Sequence, residues 1–148
     1  MASPRQLQTR ARTVARRQLA QALYQMQLTG QSWQDIHGQF AAEPAFAAAD
    51  AGFFKDALAG ISASLAELDA DLAEFGQIPP PQLDPIEHGI LWLGLWELRC
   101  RPEVPYSTVI DEGVKLTHAF GAAEGHRFVN AVLDAASRVH RAPERGAA

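Results

Sequence analysis

From Ala11 to Ala136 apolar residues recur every three or four positions, and no stretch alternates long enough with the period of two that a half-buried strand requires. A chain patterned in this way has few options. Its segments must form amphipathic helices and bury their stripes against one another. The first segment opens at Ser3-Pro4, a helix start with proline at the first helical position. It sets Ala11, Ala15, Leu19, Ala22, Leu23 and Met26 on one face and closes before Gly30. Ser32 is placed to cap a short second helix carrying Trp33, Ile36 and Phe40. A third helix is expected from about Phe46 to Phe75, with Phe53, Phe54, Leu58, Ile61, Leu65, Leu68 and Leu72 on its apolar stripe and Gly76 closing it.

Pro79, Pro80 and Pro81 interrupt this pattern, because three successive prolines cannot continue a helix. They read as a rigid extended connector, residues 77–82, between helical portions 3–76 and 83–141. The second portion starts with Asp84 as cap and Pro85 at the first helical position, and its helix runs to about Arg101. The run Ile90-Leu91-Trp92-Leu93-Gly94-Leu95-Trp96 makes it apolar on nearly all sides, as a central helix would be. Gly89 and Gly94 within it permit close helix packing. Two more helices are expected, from about Tyr106 to Phe120, ended by Gly121, and from about Ala123 to His140, with Phe128, Val129, Val132, Leu133 and Ala136 inward. Residues 142–148 read as a flexible tail. At 148 residues, 47% hydrophobic, the chain has material for one domain with one ordinary core.

Composition narrows the function classes. Arginines interrupt every apolar run near the start, so no secretory signal is expected, and no apolar run is long enough to span a bilayer; the expectation is a soluble, cytoplasmic protein. The single cysteine, Cys100, supports neither a disulfide framework nor a metal site. His37, His88, His118, His126 and His140 lie on separate elements, without the spacing that puts two ligands on one helix face. Neighbouring acids and bases such as Glu87-His88 point about 100° apart on a helix and make poor acid–base pairs. With no phosphate loop or nucleophile motif either, no metal, cofactor or catalytic residue is expected, and recognition is favoured over an enzyme.

Charge points to where recognition would occur. The first 34 residues hold five arginines and no acid, whereas the remainder holds eight bases and 17 acids. On a helical wheel Arg5, Arg12 and Arg16 share a sector of about 40°, and Arg10, Arg17 and Tyr24 share another about 100° further round. Guanidinium groups beside an aromatic ring can hold a phosphate backbone and stack an unpaired base, as in binding of single-stranded RNA. On this reading Arg16 is exposed, and alanine there should weaken RNA binding without altering the fold.

Several blocks, in order, resemble the NusB family. Ala15-Arg16-Arg17-Gln18-Leu19-Ala20-Gln21-Ala22-Leu23-Tyr24 is similar to that family's opening pattern, with Leu19 at a position commonly alanine. Further similar blocks are Phe53-Phe54-Lys55-Asp56-Ala57-Leu58-Ala59-Gly60-Ile61, Pro85 to Leu98, Val104 to Glu112, Phe120-Gly121 and Phe128 to Asp134. They span roughly residues 12–140.

The resemblance implies an all-α fold of two packed small helical bundles, about seven helices in all. It implies binding of the boxA element of ribosomal RNA leader transcripts with ribosomal protein S10, in a complex with RNA polymerase and other elongation factors that resists termination. By the same resemblance Arg10, Arg12, Arg16, Arg17 and Tyr24 would contact RNA, joined by Glu124, Arg127 and Phe128, while Glu87 and its exposed neighbours would face S10. Thr13 and Val14 stand where the family often has basic residues, Glu124 where it has Asp, and Ala131 where Gly is common. Two alternatives remain. One is a homodimeric interaction module using an exposed Trp92 or Phe128. The other is an RNA-recognition domain like those fused to ribosomal RNA cytosine methyltransferases, whose Rossmann-like domain these residues do not contain.

Overall fold

The computed structural model describes residues 1–122 and 124–146. Seven α-helices are present among them: α1 Pro4–Thr29, α2 Trp33–Ala41, α3 Ala51–Ala63, α4 Leu65–Gly76, α5 Pro85–Cys100, α6 Tyr106–Phe120 and α7 Gly125–His140. The described residues contain no strand.

The helix ends follow local chemistry. Ser3 caps α1 in a reciprocal arrangement with Gln6, and Gly30 adopts the left-handed conformation (φ 70°) that ends it. Asp84 accepts the Ile86 backbone N–H at 2.8 Å to open α5. The expected third helix is broken into pieces: a 3-10 turn at Pro44–Ala48, then α3 and α4. Asp50 caps α3 by accepting the Phe53 N–H, and Ser64 (φ −124°, ψ 17°) leaves helical geometry between α3 and α4. An apolar stripe with helical period runs through such a kink unbroken, so periodicity alone does not reveal it. The triple proline is not wholly extended either, since Pro80–Gln82 forms a 3-10 turn. The expected start of the last helix at Ala123 lies outside the described residues.

α5 is the hub. Every residue from Gly89 to Leu98 is buried, with α1, α3, α4, α6 and α7 packed around it. Gly94 permits a close approach of α7, because a methyl group there would stand 2.7 Å from the Leu133 side chain. The packing does not divide at the prolines. α4, which precedes them, lies against α5 and α7 more than against α3. Asp69 of α4 accepts a hydrogen bond from the Trp92 indole at 2.8 Å and pairs with His88 at 2.7 Å, and Asp71 accepts from Nε and Nη2 of Arg99. Trp92 is therefore 5% exposed rather than an outward dimer or partner contact.

Arg16 is the main correction to the sequence reading. It is 3% exposed, and its Nε and Nη2 donate to the two carboxylate oxygens of Glu97 at 2.9 and 2.8 Å. Glu112 of α6 stands 3.9 Å away and is held by the Thr13 hydroxyl at 3.1 Å, while the Phe53 ring lies 5.1 Å below the guanidinium. Burial works against the charge of Arg16, but the hydrogen bonds and charge of Glu97, with Glu112 and Asp50, outweigh it and raise its pKa. Arg12 turns to the same side, bonding Asp50 at 3.2 Å over Phe53.

Of residues 142–146, expected as the start of a flexible tail, Ala142 and Arg145 are half-buried and Pro143, Glu144 and Gly146 are exposed; Ala147 and Ala148 lie outside the described residues. Arg141 is buried and donates to the carbonyls of Leu98, Arg101, Val104 and Glu97, closing the C-terminal end of α5. Glu144 accepts the Tyr106 backbone N–H at 2.8 Å, and Arg145 bonds Asp134 at 2.9 Å above the Tyr106 ring.

Removing the Arg16 side chain leaves Glu97 buried and uncompensated, so Arg16→Ala should lower stability by about 3–5 kcal/mol in urea denaturation. The C-terminal turn should be acid-sensitive. The Arg145 hydrogen bond holds the Asp134 carboxyl below its ordinary range, and the Tyr106 N–H does the same for Glu144. Both groups are more acidic folded than unfolded, so their contribution is present above the ordinary carboxylate range and is lost as pH falls through their lowered values. Melting temperatures recorded from about pH 7 to about pH 3 should fall less steeply for Glu144→Gln than for the unaltered chain.

Candidate nucleic-acid interface

Because Arg12 and Arg16 turn α1 toward Asp50 and Glu97, the sector about 100° away faces outward. Arg10, Arg17 and Tyr24, spaced seven residues apart along two successive pairs of turns, are all exposed there. The Arg17 guanidinium lies over the ring of Phe120, 5.4 Å from its centre, at the end of α6. Tyr24 is 37% exposed. With Ala20, Gln21, Ile86 and Phe120 it lines an open hollow of about 140 Å³. The arrangement offers two aromatic side chains at an apolar recess bordered by a fixed positive charge. Such a recess can accept a flat ring, while the neighbouring guanidiniums can hold the phosphates on either side.

Phe120 and Ile86 are missing from the sequence-based set. Phe120 reads only as the last residue of a helix, and its place beneath Arg17 depends on how α6 crosses α1. The separation of the two arginine groups had a usable signal. Leu23 is two turns from Arg16 and shares its face, so Arg16 borders the apolar stripe, while Arg10, Arg17 and Tyr24 lie opposite it.

The link between α6 and α7 follows directly from Phe120. Glu124 and Arg127 are strongly exposed and pair with each other at 3.4 Å. Phe128 is half-buried, its ring against Gly76 of α4, so one edge belongs to the core and the other to the surface. Glu87 is also half-buried, and its carboxylate is turned to the link: it accepts the Ala122 backbone N–H and lies against Gly125. Burial, then the charge of Asp84, push its carboxyl up, while the Ala122 hydrogen bond pulls the other way. Of the residues expected to contact RNA, Arg10, Arg17 and Tyr24 thus form one strip, Glu124, Arg127 and Phe128 lie on or beside the link, and Arg12 and Arg16 are structural. Among the described residues no three His, Cys, Asp or Glu side chains group as metal ligands would, and no helix is long and apolar enough to cross a membrane.

Fold and surface together define a small all-helical protein with a basic, aromatic face set on an acidic body. A family model described as the NusB family matches residues 13–138, and the chain belongs to this family. It is 46% identical over 137 residues to the transcription antitermination protein NusB of Halorhodospira halophila, covering 91% of this chain and 88% of the relative. To the protein of the same name from Pseudomonas entomophila it is 41% identical, over 83% and 74% of the two chains. The solved structure of T. maritima NusB superposes with a TM-score of 0.77 over 99% of both chains at 19% identity, a likeness of fold.

Since Arg10 and Arg17 project from the fold, alanine at either position should change stability by no more than about 1 kcal/mol in the same urea titration that registers the loss of Arg16.

Proposed function

We propose that this protein binds single-stranded boxA-type RNA of ribosomal RNA leader transcripts together with ribosomal protein S10, and in that complex helps RNA polymerase resist termination. Membership of the NusB family supports the antitermination part of this reading. The observation that carries the RNA part is the outward strip of Arg10, Arg17 and Tyr24 beside Phe120, where charge and ring faces stand together. Phosphates would meet the arginines, and an unpaired base would enter the recess between Tyr24 and Phe120. Arg127 and the open edge of Phe128 would extend the track past the link. Arg12 and Arg16 contribute by fixing the rotation of α1 and not by touching RNA. Work beside RNA polymerase would make the protein cytoplasmic.

The test is titration of a labelled boxA-type RNA, with and without S10, at about 50 and about 200 mM salt. Affinity should fall steeply with salt, and Arg17→Ala should reduce the slope of log affinity against log salt by about one. Tyr24→Ala should cost about 1–3 kcal/mol of binding with little change in slope, because stacking is not a counterion effect. Absence of binding at both salt concentrations, with and without S10, would sink the reading.

A further inference from the structure

We propose that Glu87 is a positioning residue for the RNA-binding face, holding the link between α6 and α7 in place from the first turn of α5. The inference rests on the reading of the strip as an RNA surface. An acid in the first turn of a helix ordinarily complements that helix's own positive end and stays in water. Glu87 does something else with its carboxylate. It accepts the backbone N–H of Ala122 in the link and occupies the space beside Gly125, the first residue of α7, with the Thr117 methyl group close by. A methyl group on Gly125 would overlap this carboxylate. α7 makes no side-chain cap of its own and has no acid in its first turn. Its N-cap residue, Glu124, turns its carboxylate to Arg127, and Glu87 adds from another helix a carboxylate packed against this end.

The link matters because of its two ends. Phe120, beneath Arg17, stands immediately before it, and Glu124, Arg127 and Phe128 stand immediately after. Ile86, next to Glu87 in the chain, lines the recess that holds Tyr24 and Phe120. One turn of α5 thus sets both the floor of the recess and the path of the chain leaving it. Without the Glu87 carboxylate, the Ala122 N–H loses its acceptor and the start of α7 loses the group packed against Gly125.

Charge and positioning predict opposite signs, which makes the proposal testable on the full chain with boxA-type RNA alone, so that S10 contacts do not enter. If Glu87 acted only by its charge, Glu87→Ala and Glu87→Gln would both bind the polyanion more tightly. Positioning predicts that Glu87→Ala weakens RNA binding about fivefold, that Glu87→Gln, which keeps an acceptor for Ala122, restores most of the loss, and that Gly125→Ala mimics Glu87→Ala by displacing the carboxylate. The double variant Glu87→Ala with Gly125→Ala should be no weaker than either single variant, since both remove one interaction. In the RNA-free protein, amides of residues 119–126 should exchange faster in Glu87→Ala while those of α5 do not. Unchanged or tighter RNA binding by Glu87→Ala, or unchanged exchange across the link, would overturn the proposal. Should Glu87→Ala fail to fold, Gly125→Ala and Glu87→Gln carry the same comparison. Failure of the unaltered chain to bind RNA would instead bring down the functional reading, and the exchange rates would then decide the role of Glu87 in the link.

Discussion

The ion pair between Arg16 and Glu97 sets the geometry on which the rest of the molecule depends. A guanidinium and a carboxylate both removed from water are unfavourable apart and are tolerated only in near-ideal bidentate contact, which they make here at 2.9 and 2.8 Å. Apolar stripes alone allow one helix to roll against another by some tens of degrees, because hydrophobic contact is not directional. The fork of Arg16 removes that freedom. It fixes α1 against α5, while Glu112, held through Thr13, ties in α6 and the Arg12–Asp50 pair ties in the start of α3. With α1 locked at that rotation, Arg10, Arg17 and Tyr24 have nowhere to point but outward.

The second organising element is the all-round burial of α5. A helix enclosed by five others must have both ends satisfied by the protein, and each end is tied to a distant part of the chain. Arg141 gathers the carbonyls at its C-terminal end, which holds the chain just beyond α7 against α5. At the other end Asp84 caps the helix, and Glu87 reaches out to the start of α7. Basic strip, aromatic recess and the link between α6 and α7 are therefore different faces of one arrangement around α5. The surface that we assign to RNA is built on rigid helices, with only the short link to be held in place.

Helix positions were legible where local chemistry is explicit. Ser3-Pro4, Ser32, Asp84-Pro85 and Gly30 mark their ends by capping and backbone conformation, which need no tertiary partner. The kink at Ser64 was not legible, since the stripe from Phe53 to Leu72 keeps its period across it. Burial of Trp92 was hidden for a related reason: its indole N–H is satisfied by Asp69, twenty-three residues earlier, and no local pattern announces that partner. The ties of residues 142–146 were not legible, because the composition there is that of a loop and the partners, the N–H of Tyr106 for Glu144 and Asp134 for Arg145, lie elsewhere in the chain.

By itself the sequence determined that this chain is helical, where most of its helices begin and end, that the first of them carries five arginines and no acid, and, through ordered motifs, the family to which it belongs. These properties rest on interactions between residues a few positions apart and on the simple periodicity of burial. Only the tertiary structure decided which arginines serve the fold and which remain for a ligand. It also decided that Phe120 and Ile86 join Tyr24 at one recess, and that Glu87 faces the link. Those outcomes depend on pairs such as Arg16 with Glu97, 81 residues apart, whose meeting is set by how helices pack and by the cost of leaving a buried charge unpaired.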